Sequence, residues 1–263
     1  MGLYLFYDVC FYCEGGMKKQ IFERTRLLLG EVAMDYLSTR KVILFGVGGV
    51  GSWCAESLVR SGVQNLTIVD GDRVDVTNVN RQLMATTNTV GKIKVEVLKE
   101  RLLSINPNAV IIPLHERYTP ETRTNFNLSS YDYIIDAIDS VEDKADLLVY
   151  AANQTDATVF SSMGAALKVD PTFIKTAEFW KVYGCPLASS LRRRLKKEKI
   201  RLKKEILCVF SDERFVPSTD AGYSILKDQQ RINGTLAHIT AIFGLNLCGL
   251  LIQDVIKRTK QKE

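Results

Sequence analysis

The sequence predicts an α/β fold with a mostly parallel sheet, helices on both faces and a mixed C-terminal elaboration that ends in an apolar helix. Two observations predict it. From Lys41 onward, short β-rich apolar runs alternate with helical stretches, and the first run leads directly into a glycine-rich turn. A length of 263 residues with 46% hydrophobic and 25% charged residues suits a soluble chain with one large core, and it excludes disordered and collagen-like classes.

Five apolar runs are predicted as strands, and three segments between them as helices. Ser140 is expected to cap the third helix, because Asp143 stands three residues further on. The strands are 41–46, 66–70, 109–114, 131–137 and 158–163, and the helices are 51–61, 92–105 and 142–154.

The pattern loosens after Pro171. The residues that follow are typical of mixed structure rather than of a second independent domain. We predict strands at 172–178 and 206–210, a basic helix near 187–204 and a mobile loop at 211–224.

An apolar run near the end, 236–252, has almost the length of the roughly 20 residues that span a membrane. It contains His238, Thr240 and Asn246. These polar groups favour a helix buried in the core or in a subunit interface, so we expect no membrane contact. Six cysteines with a single C-x-x-C pair are too few for a disulfide scaffold, and a cytoplasmic location is expected.

Residues 1–16 are interpreted as a non-native or disordered extension. They are apolar and aromatic but lack the basic region and cleavage site of a secretory signal, and Met17 offers a second start. Residues 17–263 are predicted to form a single domain. Within it, 41–163 would bind a nucleotide, and 164–263 would contact the substrate and a second subunit.

The net charge of +5 conceals one strongly basic segment. Residues 192–204 carry nine Lys or Arg and one Glu, a local charge of +8, which leaves −3 for the rest. Such a localised charge favours contact with a polyanion such as a nucleic acid, and a solvated helix face is the alternative. The candidate contacts are Arg192, Arg193, Arg194, Lys196 and Lys197.

The turn after the first strand has the spacing of a phosphate-binding loop in a Rossmann-like fold. Gly46 permits a tight turn, Gly48 and Gly49 let the backbone approach a phosphate, and Gly51 allows close packing of the next helix. That helix presents its free N–H groups to an anion. Asp70, which ends the second strand, can accept the ribose hydroxyls, so the sequence predicts a nucleotide.

Charged residues further on favour a triphosphate. Arg81 and Lys94 follow the second strand, and Asp139 follows the fourth at the same edge of the sheet. A triphosphate requires such cations, and a carboxylate there could hold Mg²⁺ between phosphates. We therefore predict ATP with Mg²⁺, although each residue alone could be a surface ion or a helix cap.

These motifs resemble the adenylating domain of the ThiF/MoeB/HesA superfamily of ubiquitin-activating-like enzymes. The resemblance covers roughly 22–163 and rests on GVGGVGS, IVDGDRVDVTNVNRQ, VGKIKVE, the INP turn and DAIDS. It implies that Asp70 binds ribose, that Arg81 and Lys94 bind phosphates and that Asp139 binds magnesium. Arg24 resembles an arginine that contacts the nucleotide, in some members across a dimer interface. Asp72 and Asn78, in the second motif, complete the candidate nucleotide site.

Three later segments resemble the tRNA threonylcarbamoyladenosine dehydratase family (TcdA/CsdL). They are SSMGAALKVDPTFI, CPLASSLRRRLKKEKI and VFSDE. The resemblance implies ATP-dependent cyclisation of N6-threonylcarbamoyladenosine in tRNA through an acyl-adenylate, with Arg81, Lys94 and Asp139 as catalytic residues. It also implies tRNA as partner and a homodimer, and leaves open a sulfur-transfer or redox partner protein.

Three other functions share part of this pattern. An adenylyltransferase for a ubiquitin-like sulfur carrier would use the same nucleotide residues, but Cys185 and Cys208 stand alone and cannot form its usual zinc site. An NAD-dependent oxidoreductase would leave Arg81, Lys94 and Asp139 unused. A non-catalytic nucleotide-binding scaffold would have no reason to keep the magnesium aspartate.

Overall fold

The computed structural model describes residues 20–215, 225–227 and 230–260. The predicted extension 1–16 and most of the predicted loop 211–224 lie outside these residues. In chain order the elements are α1 (Glu23–Leu29), α2 (Glu31–Thr39), β1 (Lys41–Phe45), α3 (Gly51–Ser61), β2 (Asn65–Val69), α4 (Lys94–Ile105), β3 (Val110–Leu114), β4 (Tyr133–Asp136), α5 (Val141–Gln154), β5 (Thr158–Ser162), β6 (Ile174–Glu178), α6 (Pro186–Lys197), β7 (Ile206–Ser211), β8 (Ile225–Lys227), β9 (Gln230–Ile232) and α7 (Ala237–Lys260).

Seven strands form one sheet in the order β3-β2-β1-β4-β5-β7-β6. All neighbouring strands are parallel except β6, which pairs antiparallel with β7 at the edge. The strands β8 and β9 form a separate antiparallel pair. The predicted α/β class, with a mostly parallel sheet and a mixed C-terminal part, is confirmed.

The strand order reverses at β1, which lies between β2 and β4. Four of its five residues, Val42 to Phe45, are buried, because helices cover both faces of the sheet at its centre. The connections from β1 and β4 leave the sheet in opposite directions. A crevice therefore opens beyond the carboxyl ends of these two strands, which is where ligands of such sheets bind.

The apolar helix α7 packs against α3, the helix that follows the glycine turn. Gly244 makes this possible, because a Cβ there would lie 2.3 Å from the carbonyl oxygen of Val50 and 2.8 Å from the amide nitrogen of Cys54. Within the described chain, α7 is the one helix whose length and hydropathy would allow it to cross a membrane, and half of its most apolar window is buried in the protein.

The basic helix is shorter than predicted. It ends at Lys197 instead of near 204, because Lys199 adopts a left-handed conformation with φ +56° and the Ile200 N–H turns back to the Leu195 carbonyl. The helices α1 and α2 were not predicted, and α7 continues to Lys260, eight residues past the predicted end. The predicted cap is confirmed, since the Ser140 hydroxyl accepts the Asp143 N–H at 3.4 Å.

Replacing Gly244 with Ala is expected to destabilise the protein by about 1–3 kcal/mol, because the new methyl group would push α7 away from α3. Gly249→Ala on the same helix is the matched control, since a Cβ there meets nothing within 4 Å and Ala favours a helix by up to about 1 kcal/mol. Chemical denaturation of both variants measures the difference. Equal free energies of unfolding for the two variants would contradict the close contact between α7 and α3 at Gly244.

Candidate nucleotide site

A cavity of about 650 Å³ lies at the crevice beyond β1 and β4. Its walls come from the glycine turn, from the segments after β2, β4 and β5, and from the first turns of α6 and α7. The predicted residues in its lining are Gly46, Gly48, Gly49, Asp70, Asp72, Arg81, Lys94 and Asp139. The structure thus brings together the glycine turn, both predicted phosphate cations and the predicted magnesium ligand.

The glycine turn is tight because two of its glycines have no room for a side chain. Gly46 has φ +81°, and a Cβ there would lie 2.7 Å from the Ala137 carbonyl oxygen, in the segment after β4. A Cβ on Gly51 would lie 1.8 Å from the Gly46 carbonyl oxygen. Gly48 differs, because a Cβ there would meet only Gln82 Nε2, at 3.7 Å. The open space at Gly48 faces the cavity and suits a phosphate.

The turn leads into the N-terminus of α3, which no side chain caps. The free N–H groups and the positive end of the helix dipole there favour an anion. Ser52 stabilises this end, since its hydroxyl donates to the Gly48 carbonyl at 2.7 Å and accepts the Leu83 N–H at 3.1 Å. The indole of Trp53 donates to the Arg81 carbonyl at 3.2 Å. The first turn of α3 therefore also holds the segment that carries Arg81.

The carboxylates of Asp70 and Asp72 surround the ammonium of Lys94. Lys94 Nζ lies 2.9 Å from Asp72 Oδ2 and 3.9 Å from Asp70 Oδ1, and the lysine is only 5% exposed. Asp70 is fixed by two backbone N–H groups, those of Val47 and of Asp72, each at 2.9 Å. Burial of the Asp72 carboxylate opposes ionisation, but the hydrogen bond and charge of Lys94, together with Arg117, lower the pKa of Asp72 below its ordinary value.

Arg81 lies at the cavity wall with its guanidinium on neutral oxygen atoms. Its Nη1 donates to the Thr77 carbonyl and to Asn80 Oδ1, both at 2.8 Å. Neither partner carries a charge, so the cationic charge of Arg81 is not neutralised by these contacts. This charge is available to a phosphate group in the cavity.

Asp139 is exposed and lines the cavity, and it lies in the loop between β4 and α5. Within the described ranges, no cluster of three or more His, Cys, Asp or Glu side chains could hold a metal by itself. Mg²⁺ in nucleotide sites generally uses one or two carboxylates together with phosphate oxygens and water. Asp139 is thus a suitable protein ligand for a cation brought by a nucleotide.

Three predicted residues are placed differently by the structure. Asn78 does not line the cavity: its Oδ1 accepts the Asp75 N–H at 3.1 Å, so its amide closes the short 3-10 turn before Arg81. Arg24 is exposed on α1 and does not line the cavity within one chain. Arg192 points inward and donates to the carbonyls of Phe179 and Val182, so it fastens α6 to the preceding segment.

Most other basic residues of the segment lie either on α6 or after it. Arg193, Lys196 and Lys197 are exposed on α6, whereas Arg194 pairs with Glu198 at 3.0 Å. Further along, the ammonium groups of Lys203 and Lys204 donate to backbone carbonyls at and just after the end of α5, Asn153, Thr155 and Ala157, where the negative end of the helix dipole attracts cations.

Several lining residues were missed by the sequence analysis. Gln82 is 7% exposed, and its Oε1 is a buried polar atom for which the described structure shows no hydrogen-bond partner. Its place directly after Arg81 was the one available signal. Glu116, Arg117 and Tyr118 also line the cavity, and no local motif marks them. Met163, Gly164 and Leu187 line it too; they lie in segments that resemble the dehydratase family but were not predicted as site residues.

The four described cysteines are all buried. Burial raises the pKa of Cys54, Cys208 and Cys248 above the ordinary value, so these thiols are poor nucleophiles. Cys185 is 2% exposed and lies behind Gly164 in the cavity wall. Neither Cys185 nor Cys208 reaches the cavity surface.

Comparison with known proteins places this site in a family. The ThiF family model matches residues 22–262. The tRNA threonylcarbamoyladenosine dehydratase of Bacillus subtilis (strain 168) is 39% identical over 253 residues, which cover 92% of this chain and 98% of that protein. The crystal structure of E. coli tRNA N6-threonylcarbamoyladenosine dehydratase, TcdA, in complex with ATP has a TM-score of 0.82 and 33% identity, over 93% of this chain and 97% of that one.

A relative named as an adenylyltransferase matches a smaller part of this chain. The molybdopterin-synthase adenylyltransferase of Salmonella typhimurium (strain LT2) is 33% identical over 107 residues, which are 41% of this chain and 43% of that protein. The fold, the glycine turn and the family match together define an adenylating domain: the chain belongs to the ThiF family. Within that family its nearly full-length matches place it with the tRNA threonylcarbamoyladenosine dehydratases, which confirms the resemblance seen in the motifs.

Gly48→Ala is expected to weaken ATP binding by about tenfold or more while leaving the melting temperature nearly unchanged, because the methyl group fits the protein but occupies the phosphate space. Gly51→Ala is expected to lower the melting temperature, since its Cβ would overlap the Gly46 carbonyl. Calorimetric titration with ATP and thermal unfolding test both. Unchanged ATP affinity in Gly48→Ala would contradict a phosphate at this turn.

Proposed function

We propose that this protein catalyses the ATP-dependent dehydration of N6-threonylcarbamoyladenosine in tRNA. The observation that carries the proposal is the convergence of Arg81, Lys94 and Asp139 on one cavity above a glycine turn. The name shared by the nearly full-length relatives supports the substrate. A tRNA substrate also suits the cytoplasmic location expected from the cysteine content.

The chemistry begins at the free carboxylate of the threonylcarbamoyl group. This carboxylate is a poor acyl donor until one of its oxygens attacks the α-phosphate of ATP and pyrophosphate leaves. The N6 nitrogen of the adenosine, which carries the carbamoyl group, then attacks the acyl carbon of the resulting adenylate, loses its proton and expels AMP. The carboxylate oxygen departs with AMP, so the net change in the nucleoside is the loss of one water and closure of a hydantoin ring.

The chain contributes positioning and charge neutralisation. Asp70 would accept the ribose hydroxyls, and the Arg81 guanidinium and the Lys94 ammonium would bind phosphate oxygens. Lys94 lines the cavity and is paired with Asp72, so a bound phosphate would compete with Asp72 for its ammonium. When bound at Asp139, Mg²⁺ would supply further positive charge beside the phosphates. The closure is intramolecular and requires no cysteine nucleophile, in agreement with the buried thiols.

The same proposal includes a homodimer. Leu27 and Leu28 on α1 are 82% and 83% exposed, and Val32 on α2 is exposed beside them in sequence. An apolar patch of this kind is typical of an interface. Arg24 lies on the same helix, so a second copy that covers the patch could bring its Arg24 towards the nucleotide of its partner. The helix α7 then serves as a core helix rather than a membrane span.

Adenylation of a sulfur-carrier protein is the second candidate, because its enzymes share the nucleotide residues. The comparisons support it less, because the match to the molybdopterin-synthase adenylyltransferase covers less than half of this chain. Incubation with ATP, Mg²⁺ and either tRNA that carries threonylcarbamoyladenosine or a sulfur-carrier protein separates the two. Loss of one water from the modified adenosine, seen by nucleoside mass spectrometry, supports the dehydratase. Pyrophosphate release with the carrier protein alone would overturn it.

Lys94→Met and Arg81→Met are each expected to lower kcat by about a hundredfold, since each removes a cation from the charge that develops on the phosphates. Steady-state assays with saturating modified tRNA and ATP measure kcat for each variant. Lys99→Met is the matched control, because Lys99 lies on the same helix as Lys94 but outside the cavity lining. A variant at either site with full activity would remove that residue from the mechanism.

A triple charge reversal, Arg193→Glu, Lys196→Glu and Lys197→Glu, is expected to weaken tRNA binding. The slope of log binding constant against log salt concentration should become shallower by about one for each lost phosphate contact. Filter binding at several salt concentrations measures both quantities. The control replaces Lys99, Lys257 and Lys260 with Glu. It changes the net charge of the protein by the same amount, but at positions on α4 and α7. If both triple variants bound tRNA alike, the exposed face of α6 would not be the tRNA contact.

A further inference from the structure

A buried ion pair lies directly beneath Asp139. Lys144 Nζ and Asp136 Oδ2 are 2.6 Å apart, and both side chains are fully buried at 0% exposure. Burying two charges is costly, and apolar replacements of such pairs are often neutral or stabilising. The presence of this pair at the carboxyl end of β4 therefore requires an explanation beyond the stability of the core.

The ion pair forms hydrogen bonds with both backbone polar groups of Ile138. Asp136 Oδ1 accepts the Ile138 N–H at 3.0 Å, and Lys144 Nζ donates to the Ile138 carbonyl at 3.0 Å. Ser161, on the neighbouring strand β5, donates its hydroxyl to Asp136 Oδ2 at 2.6 Å. The next residue after Ile138 is Asp139. Its backbone position is thus fixed from the buried side, while its carboxylate faces the cavity.

The same loop is held at its two ends. The Ala137 N–H bonds the Phe45 carbonyl at 2.8 Å, and Gly46 packs against the Ala137 carbonyl. At the other end, the Lys144 N–H bonds the Ser140 carbonyl at 3.1 Å. The loop from Ala137 to Ser140 is consequently a rigid connection between the glycine turn and Asp139.

We propose that Asp136, Lys144 and Ser161 are positioning residues that hold the Asp139 carboxylate in place for the divalent cation of the bound nucleotide. The inference rests on the proposed function, because it takes Asp139 as the cation ligand. A divalent cation shared between one carboxylate and a polyphosphate requires a fixed distance between them, and outer-shell hydrogen bonds of this kind orient metal ligands. The pair acts through Ile138 and contacts neither substrate nor cation.

The test uses the full chain, a non-hydrolysable ATP analogue and Mn²⁺ as the probe, with Mn²⁺ binding followed by electron paramagnetic resonance. The double variant Asp136→Asn, Lys144→Met removes both charges together, so no unpaired charge remains buried. Its Kd for Mn²⁺ in the protein–analogue complex is expected to rise by about tenfold or more. Its affinity for the analogue in EDTA is expected to stay within about twofold of wild type.

Ser161→Ala is the milder variant and carries the test if the double variant fails to fold. It removes one hydrogen bond to Asp136 without a charge change and is expected to raise the Kd for Mn²⁺ by about threefold. Tyr133→Phe is the matched control, since Tyr133 is a buried residue at the other end of β4 whose hydroxyl donates to Asp254 at 2.9 Å. It should change the melting temperature but not the Kd for Mn²⁺.

Two results would overturn the inference. The first is a Kd for Mn²⁺ in Ser161→Ala and in the folded double variant equal to that of wild type, with a lower melting temperature, which would make the pair a stability element only. The second is a wild-type protein that does not bind the analogue with or without Mn²⁺. That second result would remove the proposed function itself, and so the two failures are distinguishable.

Discussion

The close contact between the glycine turn and the backbone after β4 is the constraint on which the rest of the site depends. Gly46 has no room for a side chain because the Ala137 carbonyl oxygen occupies that space, and Gly51 has none because of Gly46 itself. These contacts place the N-terminus of α3 and the loop of Asp139 on either side of one crevice. Any larger residue at Gly46 or Gly51 would separate the anion-binding helix end from the acidic loop.

The charged groups of the site are paired to different extents. Lys94 is neutralised by Asp72 and Asp70, whereas Arg81 interacts with neutral oxygen atoms. The two cations are therefore not equivalent. A phosphate must compete with carboxylates for Lys94 but gains the charge of Arg81 without losing an ion pair. This difference gives the acidic residue Asp72 a function of its own, since it is the ion-pair partner that positions the ammonium of Lys94 in the cavity wall.

The fold and the centre of the site could be predicted because they depend on local signals. Strand ends on one edge of a parallel sheet meet in space, so the spacing of Gly48, Asp70 and Asp139 carries geometric information. Asn78 was misplaced because a short turn satisfies its amide locally. The inward role of Arg192 depends on carbonyls that only tertiary packing brings near it. The buried pair under Asp139 was missed for the same reason, since Lys144 reads as an ordinary lysine on an amphipathic helix.

The helix α7, which begins at Ala237, completes a site whose glycine turn begins at Gly46. Thr240 lines the cavity and packs beside Gly49, and Gly244 seats the helix on the first turn of α3. During synthesis on the ribosome, the glycine turn emerges long before this helix does. The nucleotide pocket therefore acquires this wall only after α7 has been synthesised. A chain without α7 lacks that wall, so the complete nucleotide pocket requires two segments that lie far apart in the sequence.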